Sequence, residues 1–382
     1  MASALPLSTI GRAERDWQAI AADLAERFRP GCNGHDAEDS FAAESYAALK
    51  ATKLFSAGVP IELGGGGASY RDLATTLRTL AKGCSSTALA FAMHTHVVAL
   101  TVWRWRHDKA PVEPLLRRIA AEELVMVTSG GSDWLQSAGI AERVEGGFRV
   151  TATKRFASGS PSGDILMTSA VHDDPENGPT VLHFGVPLKA PGVTVVDNWR
   201  AHGMRGTGSG DIVIDGFFLA DTAVGVRRPQ GRWHRLFHTI TLVAFPLIYS
   251  VYLGIAEAAR DAALDGARPR AKGPDAASLA GAVQTELLAA ELALEEMLRL
   301  GDEGEPGPAS TARLFAAKTL ATRAMLQATE RALELAGGGA FRRDHPLERL
   351  SRDIQGARYH PIGEAAQLRL AGRHALGLPL DE

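Results

Sequence analysis

Apolar residues in the first third of the chain recur at steps of three and four residues. The first stripe, within residues 12–28, consists of Trp17, Ile20, Ala21, Leu24 and Phe28. Such spacing places one apolar face along a helix. Four further helices are predicted, at residues 40–56, 70–82, 85–107 and 111–123. Residues 1–123 are therefore predicted to form an N-terminal α-helical domain.

Short runs of β-branched or alternating residues replace the helical pattern in the middle of the chain. Gly, Pro, Asp and Asn residues separate these runs, which is typical of strands joined by turns. Seven strands are predicted, at residues 124–128, 138–144, 148–153, 165–170, 180–186, 193–196 and 212–218. This spacing favours an antiparallel barrel or sandwich over a parallel sheet. Residues 124–228 are therefore predicted to form a middle β-domain.

Helical spacing returns after Pro229 and continues to the end of the chain. Residues 275–300 carry an apolar stripe made of Leu279, Val283, Leu287, Ala290, Leu294 and Met297. Residues 310–335 carry a stripe of mostly small residues, Leu314, Ala317, Ala321, Ala324, Ala328 and Ala332. Long helices with few internal Gly or Pro residues are typical of an antiparallel bundle. Residues 229–382 are therefore predicted to form a C-terminal four-helix bundle.

Composition narrows the class of protein. Of the 382 residues, 45% are hydrophobic and 22% are charged, as in an ordinary globular protein. The balance of 41 Lys and Arg against 44 Asp and Glu argues against nucleic acid as a partner. The two cysteines, Cys32 and Cys84, and the lack of a CxxC motif argue against a disulfide framework or a structural zinc site. We expect a cytoplasmic protein.

No membrane segment is expected. The N-terminus lacks a charged start followed by an apolar core, which a secretory signal would have. The most hydrophobic run, Thr239 to Ile255, contains Pro246 and Gly254 as well as polar residues. This run is interpreted as a buried helix.

Four segments carry a family resemblance. They are VPIELGGGGASYRDL at 59–73, MVTSGGSD with GGFRVTATKRFASG at 126–159, WRAHGMRGTGSGDIVIDGFF at 199–218, and ERALELAGGGAFRRDHPLERLSRD at 330–353. Their order within an α–β–α arrangement resembles the acyl-CoA dehydrogenase superfamily of flavoenzymes, over nearly the whole chain. The resemblance implies that superfamily's fold, with FAD held between the β-domain and the bundle of a homotetramer or homodimer.

The turn after the first predicted strand is one candidate flavin contact. Its residues are Thr128, Ser129, Gly131 and Ser132. Their hydroxyl and backbone N–H groups could reach a flavin edge or a pyrophosphate. An ordinary polar β-turn is the alternative reading of the same residues. The turn looks about two residues shorter than the corresponding Thr-Glu-Pro turn of the family.

Further cofactor contacts are implied by the resemblance alone. Phe156 and Ser158 occupy positions where the family has Trp and Thr, which pack on the flavin and bond near its N5 atom. Gly337 and Gly338 form a turn whose N–H groups meet the FAD pyrophosphate across the family's subunit interface. They also match an ordinary helix C-terminal cap. Arg268, or alternatively Arg270, could supply the phosphate counter-charge.

A dehydrogenase of this family needs a carboxylate base to remove the proton α to a thioester carbonyl. In most members it is a Glu a few residues beyond an Arg-Asp pair, and counting from Arg352 and Asp353 places Pro361 there. The family's second location for the base falls near Ala244, in an uncharged stretch. Glu364 is close in sequence but belongs to the following helix.

His360 stands beside the expected position of the base. Together with Ser158 it resembles the flavin-dependent monooxygenase branch of the superfamily, in which a reductase supplies reduced flavin. A histidine titrates near neutral pH and can shuttle a proton to or from an oxygenated flavin. A histidine with a purely structural role is the alternative. His94 and His238 are weaker candidates of the same kind.

The leading prediction is thus a flavin-dependent oxidoreductase acting on a small molecule, with a slight preference for a two-component monooxygenase that uses reduced flavin and O2. The cofactor would be FAD, or FMN in a monooxygenase, and a flavin reductase would be a partner. The alternative is an acyl-CoA or acyl-carrier dehydrogenase with a displaced base, a CoA thioester substrate and an electron-transfer flavoprotein as partner. An inactive scaffold that keeps the fold is a third possibility. Neither nucleic acid nor a membrane is an expected partner.

Overall fold

A computed structural model describes residues 15–268 and 274–381. Its N-terminal part consists of five helices, which are α1 (Trp17–Glu38), α2 (Ala43–Ala51), α3 (Tyr70–Gly83), α4 (Ser85–His107) and α5 (Glu113–Glu122). The predicted helices are confirmed, but α1 continues ten residues past its predicted end and through Pro30. Cys32 explains part of this extension because it is buried and its Sγ atom lies 2.8 Å from that of Cys84.

The middle part is a single sheet of eight strands. They are β1 (Met126–Thr128), β2 (Ile140–Val144), β3 (Gly147–Lys154), β4 (Ile165–Asp174), β5 (Gly178–Pro187), β6 (Val193–Val195), β7 (Ile212–Ala220) and β8 (Val226–Pro229). The order is β6-β7-β3-β2-β4-β5-β8, with β1 paired to β4. The one-turn helix α6 (Gly130–Asp133) follows β1.

The expectation of purely antiparallel strands is corrected at two places in this sheet. Strand β1 pairs with β4 in parallel over three residues, and β2 pairs with β4 in parallel at Ile140 and Val171. The remaining pairings are antiparallel. Strand β8 was missed because its four residues, VRRP, lack an apolar alternation. The sheet is therefore mixed.

The C-terminal part is helical, as predicted. Its helices are α7 (Arg235–Ala267), α8 (Pro274–Glu303), α9 (Pro308–Ala336), α10 (Pro346–Asp353) and α11 (Glu364–Ala375). Three of them are long, whereas α11 has only 12 residues and packs on α9. The predicted stripes of α8 and α9 are buried, except that Leu279 is half-buried.

Within the described part of the chain, three helices are long and apolar enough to cross a membrane, namely α4, α7 and residues 275–303 of α8. In α4 and α7, 94% of the apolar window is buried inside the protein. The run from Thr239 to Ile255 is thus a buried part of α7, as expected. In α8 only 28% of the window is buried within the single chain.

The loop 203–210 joins the sheet to the helices. Its Met204 N–H donates to the Asp353 carboxylate at 2.6 Å, and Arg349 pairs with that carboxylate at 3.2 Å. Arg352 pairs with both Asp36 and Glu348. Arg349 and Arg352 therefore form a structural ion-pair network on α10.

Candidate functional site

A cavity of about 840 Å³ lies where the sheet, α4, α7 and the segment after α10 meet. It contains six of the residues that the sequence singled out, namely Thr128, Ser129, Gly131, Phe156, Ser158 and His360. Side chains of α4 and α7 form apolar walls, including those of Met93, Val97 and Phe245. Residues from all three domains therefore build one site.

The turn after β1 is the helical turn α6 rather than an open loop. Ser129 is buried, and its Oγ lies 2.8 Å from the Thr168 hydroxyl. Lys154 holds the end of the turn through a buried ion pair with Asp133 at 2.6 Å. Burial raises the pKa of the Asp133 carboxyl and lowers the pKa of Lys154. The Ser129 hydroxyl is thus engaged within the protein, while half-buried Thr128 and exposed Gly131 face the cavity.

Ser132 belongs to the same turn, and its side chain lies outside the described part of the structure.

Phe156 presents a ring to the cavity. Its side chain is 53% exposed, and its ring meets Trp199 edge-on at a centroid distance of 5.8 Å. The backbone φ of Phe156 is 64°, which is rare for an aromatic residue and typical of constrained functional sites. This geometry suits contact with a flat ring.

Ser158 ends a chain of hydroxyl groups. Thr207 donates to the Met204 carbonyl at 2.8 Å, so Ser209, 2.6 Å away, donates to Thr207. Ser158, 2.7 Å from Ser209, must in turn donate to Ser209, because each hydroxyl has one proton. The Ser158 oxygen is therefore left as an acceptor.

Gly159 follows Ser158 at a position where only a glycine fits. Its φ is 79°, and a Cβ atom there would lie 2.5 Å from the Tyr46 hydroxyl. The glycine is thus required by the backbone and by Tyr46.

His360 is held by Tyr252 on α7. Its Nδ1 atom lies 2.6 Å from the Tyr252 hydroxyl and 3.3 Å from the Gly356 carbonyl. Burial, assisted by the charge of Lys318, lowers the pKa of His360 to about 4. Burial raises the pKa of Tyr252, so its hydroxyl keeps its proton and donates it to Nδ1. The neutral imidazole then carries its proton on Nε2, which has no partner among residues 15–268 and 274–381.

His96 is a cavity residue that the sequence analysis missed. Its Nδ1–H donates to the Ala92 carbonyl at 2.9 Å, which leaves Nε2 as an acceptor. Burial lowers the pKa of His96 to about 4. No signal in the sequence separates it from His94, because only the packing of α4 shows that Met93, His96, Val97 and Leu100 line the cavity.

The two weaker histidine candidates lie outside the cavity lining. His94 accepts from the Met126 N–H at 3.0 Å and donates to the Phe55 carbonyl at 2.7 Å. His238 bonds to Thr311 at 2.7 Å and stacks on Trp233. Both are satisfied structural histidines.

Carboxylates are scarce in this cavity. Ala244 and Pro361, the two positions where the family would place its base, both line it. Within the described chain the only carboxylate in the lining is Asp133, which is paired to Lys154. Glu364 begins α11 and pairs with Arg323 at 2.6 Å instead. The site therefore offers imidazoles where a dehydrogenase needs a carboxylate.

Three predicted cofactor residues lie outside the cavity. Arg268 is exposed and pairs with Asp265 at 2.5 Å, and Arg270 lies outside the described residues. Gly337 and Gly338 are exposed at the end of α9. Because the resemblance assigns them to a subunit interface, their role in binding an FAD pyrophosphate stays a prediction.

A mixed sheet that follows one helical part of the chain and precedes another, with a cavity lined by all three parts, is the architecture of this protein. Models of the acyl-CoA dehydrogenase N-terminal, middle and C-terminal domains match residues 13–123, 128–217 and 247–364. The chain belongs to the acyl-CoA dehydrogenase family, and the predicted family and fold are confirmed. The predicted class of flavin-dependent oxidoreductase is confirmed with them.

Relatives of the chain carry several activities. An L-evernosamine nitrososynthase from Micromonospora sp. is 29% identical, covering 98% of this chain and 93% of its own. A putative acyl-CoA dehydrogenase, YdbM from Bacillus subtilis, is 27% identical over 91% and 93% of the two chains. A dibenzothiophene monooxygenase from Rhodococcus erythropolis is 27% identical over 95% and 94%.

Among solved structures, KijD3 in complex with FMN and dTDP-3-amino-2,3,6-trideoxy-4-keto-3-methyl-D-glucose has a TM-score of 0.88 and 28% identity. The match covers 98% of this chain and 96% of that one. The relationship thus extends over the whole length of both proteins.

Proposed function

We propose that this protein is a flavin-dependent monooxygenase that uses reduced FMN and O2 to oxygenate a small molecule at a nitrogen or sulfur centre. The observation that carries the proposal is the cavity lining. Ala244 and Pro361 occupy both positions where a dehydrogenase of the family would hold its carboxylate base. Without that base, removal of a proton α to a thioester lacks its acceptor.

The cavity residues fit a flavin ring. Phe156 offers an exposed aromatic face, and the Ser158 oxygen is an acceptor suited to the N–H that a reduced flavin carries at N5. FMN is favoured because KijD3 was solved in complex with it. The bound flavin would supply the activation of O2.

The chain's own residues orient groups and move protons. His96 and His360 are neutral above about pH 4, so His96 presents Nε2 as a proton acceptor and His360 presents its Nε2–H as a donor. Tyr252 fixes the orientation of the His360 ring through Nδ1. With flavin and substrate bound, the apolar walls from α4 and α7 would limit the access of water to the reacting atoms. Two imidazoles in one cavity suit proton transfer to an oxygenated centre.

The relatives support the kind of substrate. One is named an L-evernosamine nitrososynthase and another a dibenzothiophene monooxygenase, names that refer to chemistry at nitrogen and to a sulfur compound. YdbM supports the alternative, an acyl-CoA dehydrogenase with a displaced base. We propose a flavin reductase as the partner that supplies reduced FMN.

The test separates the two activities. Purified protein is titrated with photoreduced FMN without oxygen, and then mixed with ¹⁸O₂ and a panel of amines, thioethers and heteroaromatic sulfides. We expect binding of reduced FMN and an ¹⁸O-labelled product. Bleaching of the bound oxidised flavin by an acyl-CoA, with reoxidation by an electron-transfer flavoprotein, would establish the dehydrogenase instead. Absence of flavin binding would favour the inactive scaffold.

His360→Ala tests the proposed proton transfer. We expect product formation to fall roughly a hundredfold, the usual contribution of an acid-base group, while reduced FMN still binds. His374→Ala, at an exposed position of α11, is the matched control and should retain full turnover. Equal turnover of both variants would remove His360 from the chemistry.

We also propose that the protein is a cytoplasmic homodimer or homotetramer assembled through α8 and α9. Leu288 and Leu292, one turn apart on α8, are 55% and 65% exposed, and Leu320 on α9 is 61% exposed. A second copy of the chain would bury this apolar surface. Leu292→Arg should lower the mass measured by light scattering. Leu376→Arg, at a 77% exposed position, should leave it unchanged.

A further inference from the structure

A lysine lies fully buried inside the C-terminal helices. Lys318 of α9 has no exposed surface, and its Nζ atom lies 5.5, 5.1 and 5.9 Å from the ring centroids of Phe245, Tyr249 and Phe315. Among the described residues no carboxylate bonds to it, because nearby Glu364 pairs with Arg323. Burial lowers the pKa of Lys318 to about 7, and a buried amine without an ion-pair partner is costly, so its presence calls for a role.

The one hydrogen bond that the structure gives Lys318 leads to the His360 segment. Its Nζ donates to the Ile362 carbonyl at 3.2 Å. The same carbonyl accepts from Gln367 Nε2 at 2.6 Å, and Gln367 is itself fixed by Thr319 at 2.7 Å. Two side chains from different helices therefore hold one carbonyl, two residues beyond His360.

Helix α7 holds the other parts of this segment. Tyr249 donates to the Ala357 carbonyl at 2.6 Å, and Tyr252 bonds to His360. Both tyrosine rings belong to the aromatic cluster around Lys318 and His360. The lysine thus lies behind the wall that presents the imidazole to the cavity.

The titratable groups near His360 come from several elements. They are His96 on α4, Tyr252 on α7, Lys318 on α9 and Arg352 on α10, of which Arg352 is neutralised by Asp36 and Glu348. His96 is neutral near pH 7 because burial lowers its pKa to about 4. Lys318 is therefore the main cation that opposes a charge on His360.

We propose that Lys318 is the positioning residue of His360, fixing the His360 segment through the Ile362 carbonyl and setting the charge state of the imidazole from outside the cavity. That His360 moves a proton rests on the proposed function. The placement of the His360 segment and the effect of the Lys318 charge do not depend on the proposed function. Both can be measured without substrate.

The effect of the Lys318 charge on the pKa of His360 is measured by NMR. Protein labelled with ¹³C-histidine is titrated, and the His360 signal is identified by its loss in His360→Gln. In Lys318→Met we expect the pKa of His360 to rise by about one unit, because a nearby like charge is removed. Lys318→Gln removes the charge but keeps a donor, and should show the same rise. Gln367→Leu removes the other donor to Ile362 and should leave the pKa unchanged.

Positioning is read by hydrogen exchange at residues 356–362. We expect faster exchange in Lys318→Met and Gln367→Leu, and less acceleration in Lys318→Gln. An unchanged His360 titration in Lys318→Met or Lys318→Gln would overturn the electrostatic part, and unchanged exchange in Lys318→Met would overturn the positioning part. If Lys318→Met fails to fold, Lys318→Gln carries the titration, and Lys318→Leu, which also lacks a donor to Ile362, carries the exchange measurement with the same expected result. Failure of FMN binding with a shifted His360 pKa would refute the proposed function alone.

Discussion

At the scale of single residues, Ser158 gives a direct test of flavin contact. Its oxygen is held as an acceptor by the Ser209 and Thr207 hydroxyls. Ser158→Ala should weaken binding of reduced FMN by roughly fivefold, equivalent to about 1 kcal/mol for one hydrogen bond. Anaerobic titration with reduced FMN measures this loss. Ser137→Ala, which removes a hydroxyl bonded to Ser169, is the control and should bind FMN normally. Equal affinity of the two variants would contradict the contact.

The sequence predicted part of the site at this scale. The family motifs alone were enough to predict that Ser158 and His360 belong to one site, although the two residues lie about two hundred residues apart in the chain. The sequence could not separate His94 from His96, because both lie on one buried helix and only the packing of α4 shows which one meets the cavity. Lys318 was not singled out, since its burial depends on contacts between α7, α9 and α11.

At the scale of elements, the pair Asp133–Lys154 fixes the turn α6 to strand β3. Both side chains are buried, so removing one partner leaves an uncompensated charge. Lys154→Met should lower the free energy of unfolding by about 3–5 kcal/mol, measured by urea denaturation. Combining it with Asp133→Leu should restore much of the loss. Arg118→Met, at an exposed pair on α5, should cause no measurable loss. Additive effects of Lys154→Met and Asp133→Leu would show that the two side chains do not interact.

Elements were predicted best where local spacing determines them. Helix α4 has its predicted bounds, because its side chains are apolar through most of its length. The parallel contacts of β4 with β1 and β2 were missed, because pairing depends on residues distant in the chain. The extension of α1 past Pro30 was missed because contacts of its last turns outweighed the proline signal.

At the scale of the whole molecule, the buried histidines predict loss of stability in acid. Burial lowers the pKa values of His94, His96 and His360 to about 4 and that of His183 to about 3. The unfolded chain binds protons at these residues below about pH 6.5, whereas the folded chain stays neutral there until about pH 4. The free energy of unfolding should therefore be constant with respect to these groups above pH 6.5 and fall as the pH decreases towards 4.

Between pH 6.5 and about 4, each of these histidines lowers the free energy of unfolding by roughly 1.4 kcal/mol for every unit by which the pH falls. Urea denaturation at a series of pH values measures the slope. His94→Gln should reduce the slope by one histidine's share, because an amide can accept from Met126 and donate to Phe55 without titrating. His374→Gln, at an exposed site, is the matched control and should keep the full slope. A urea midpoint that stays constant from pH 6.5 to 4 would show that these imidazoles become charged within the folded protein. His96 and His360 would then be charged over that pH range, whereas the proposed proton transfer needs their neutral forms.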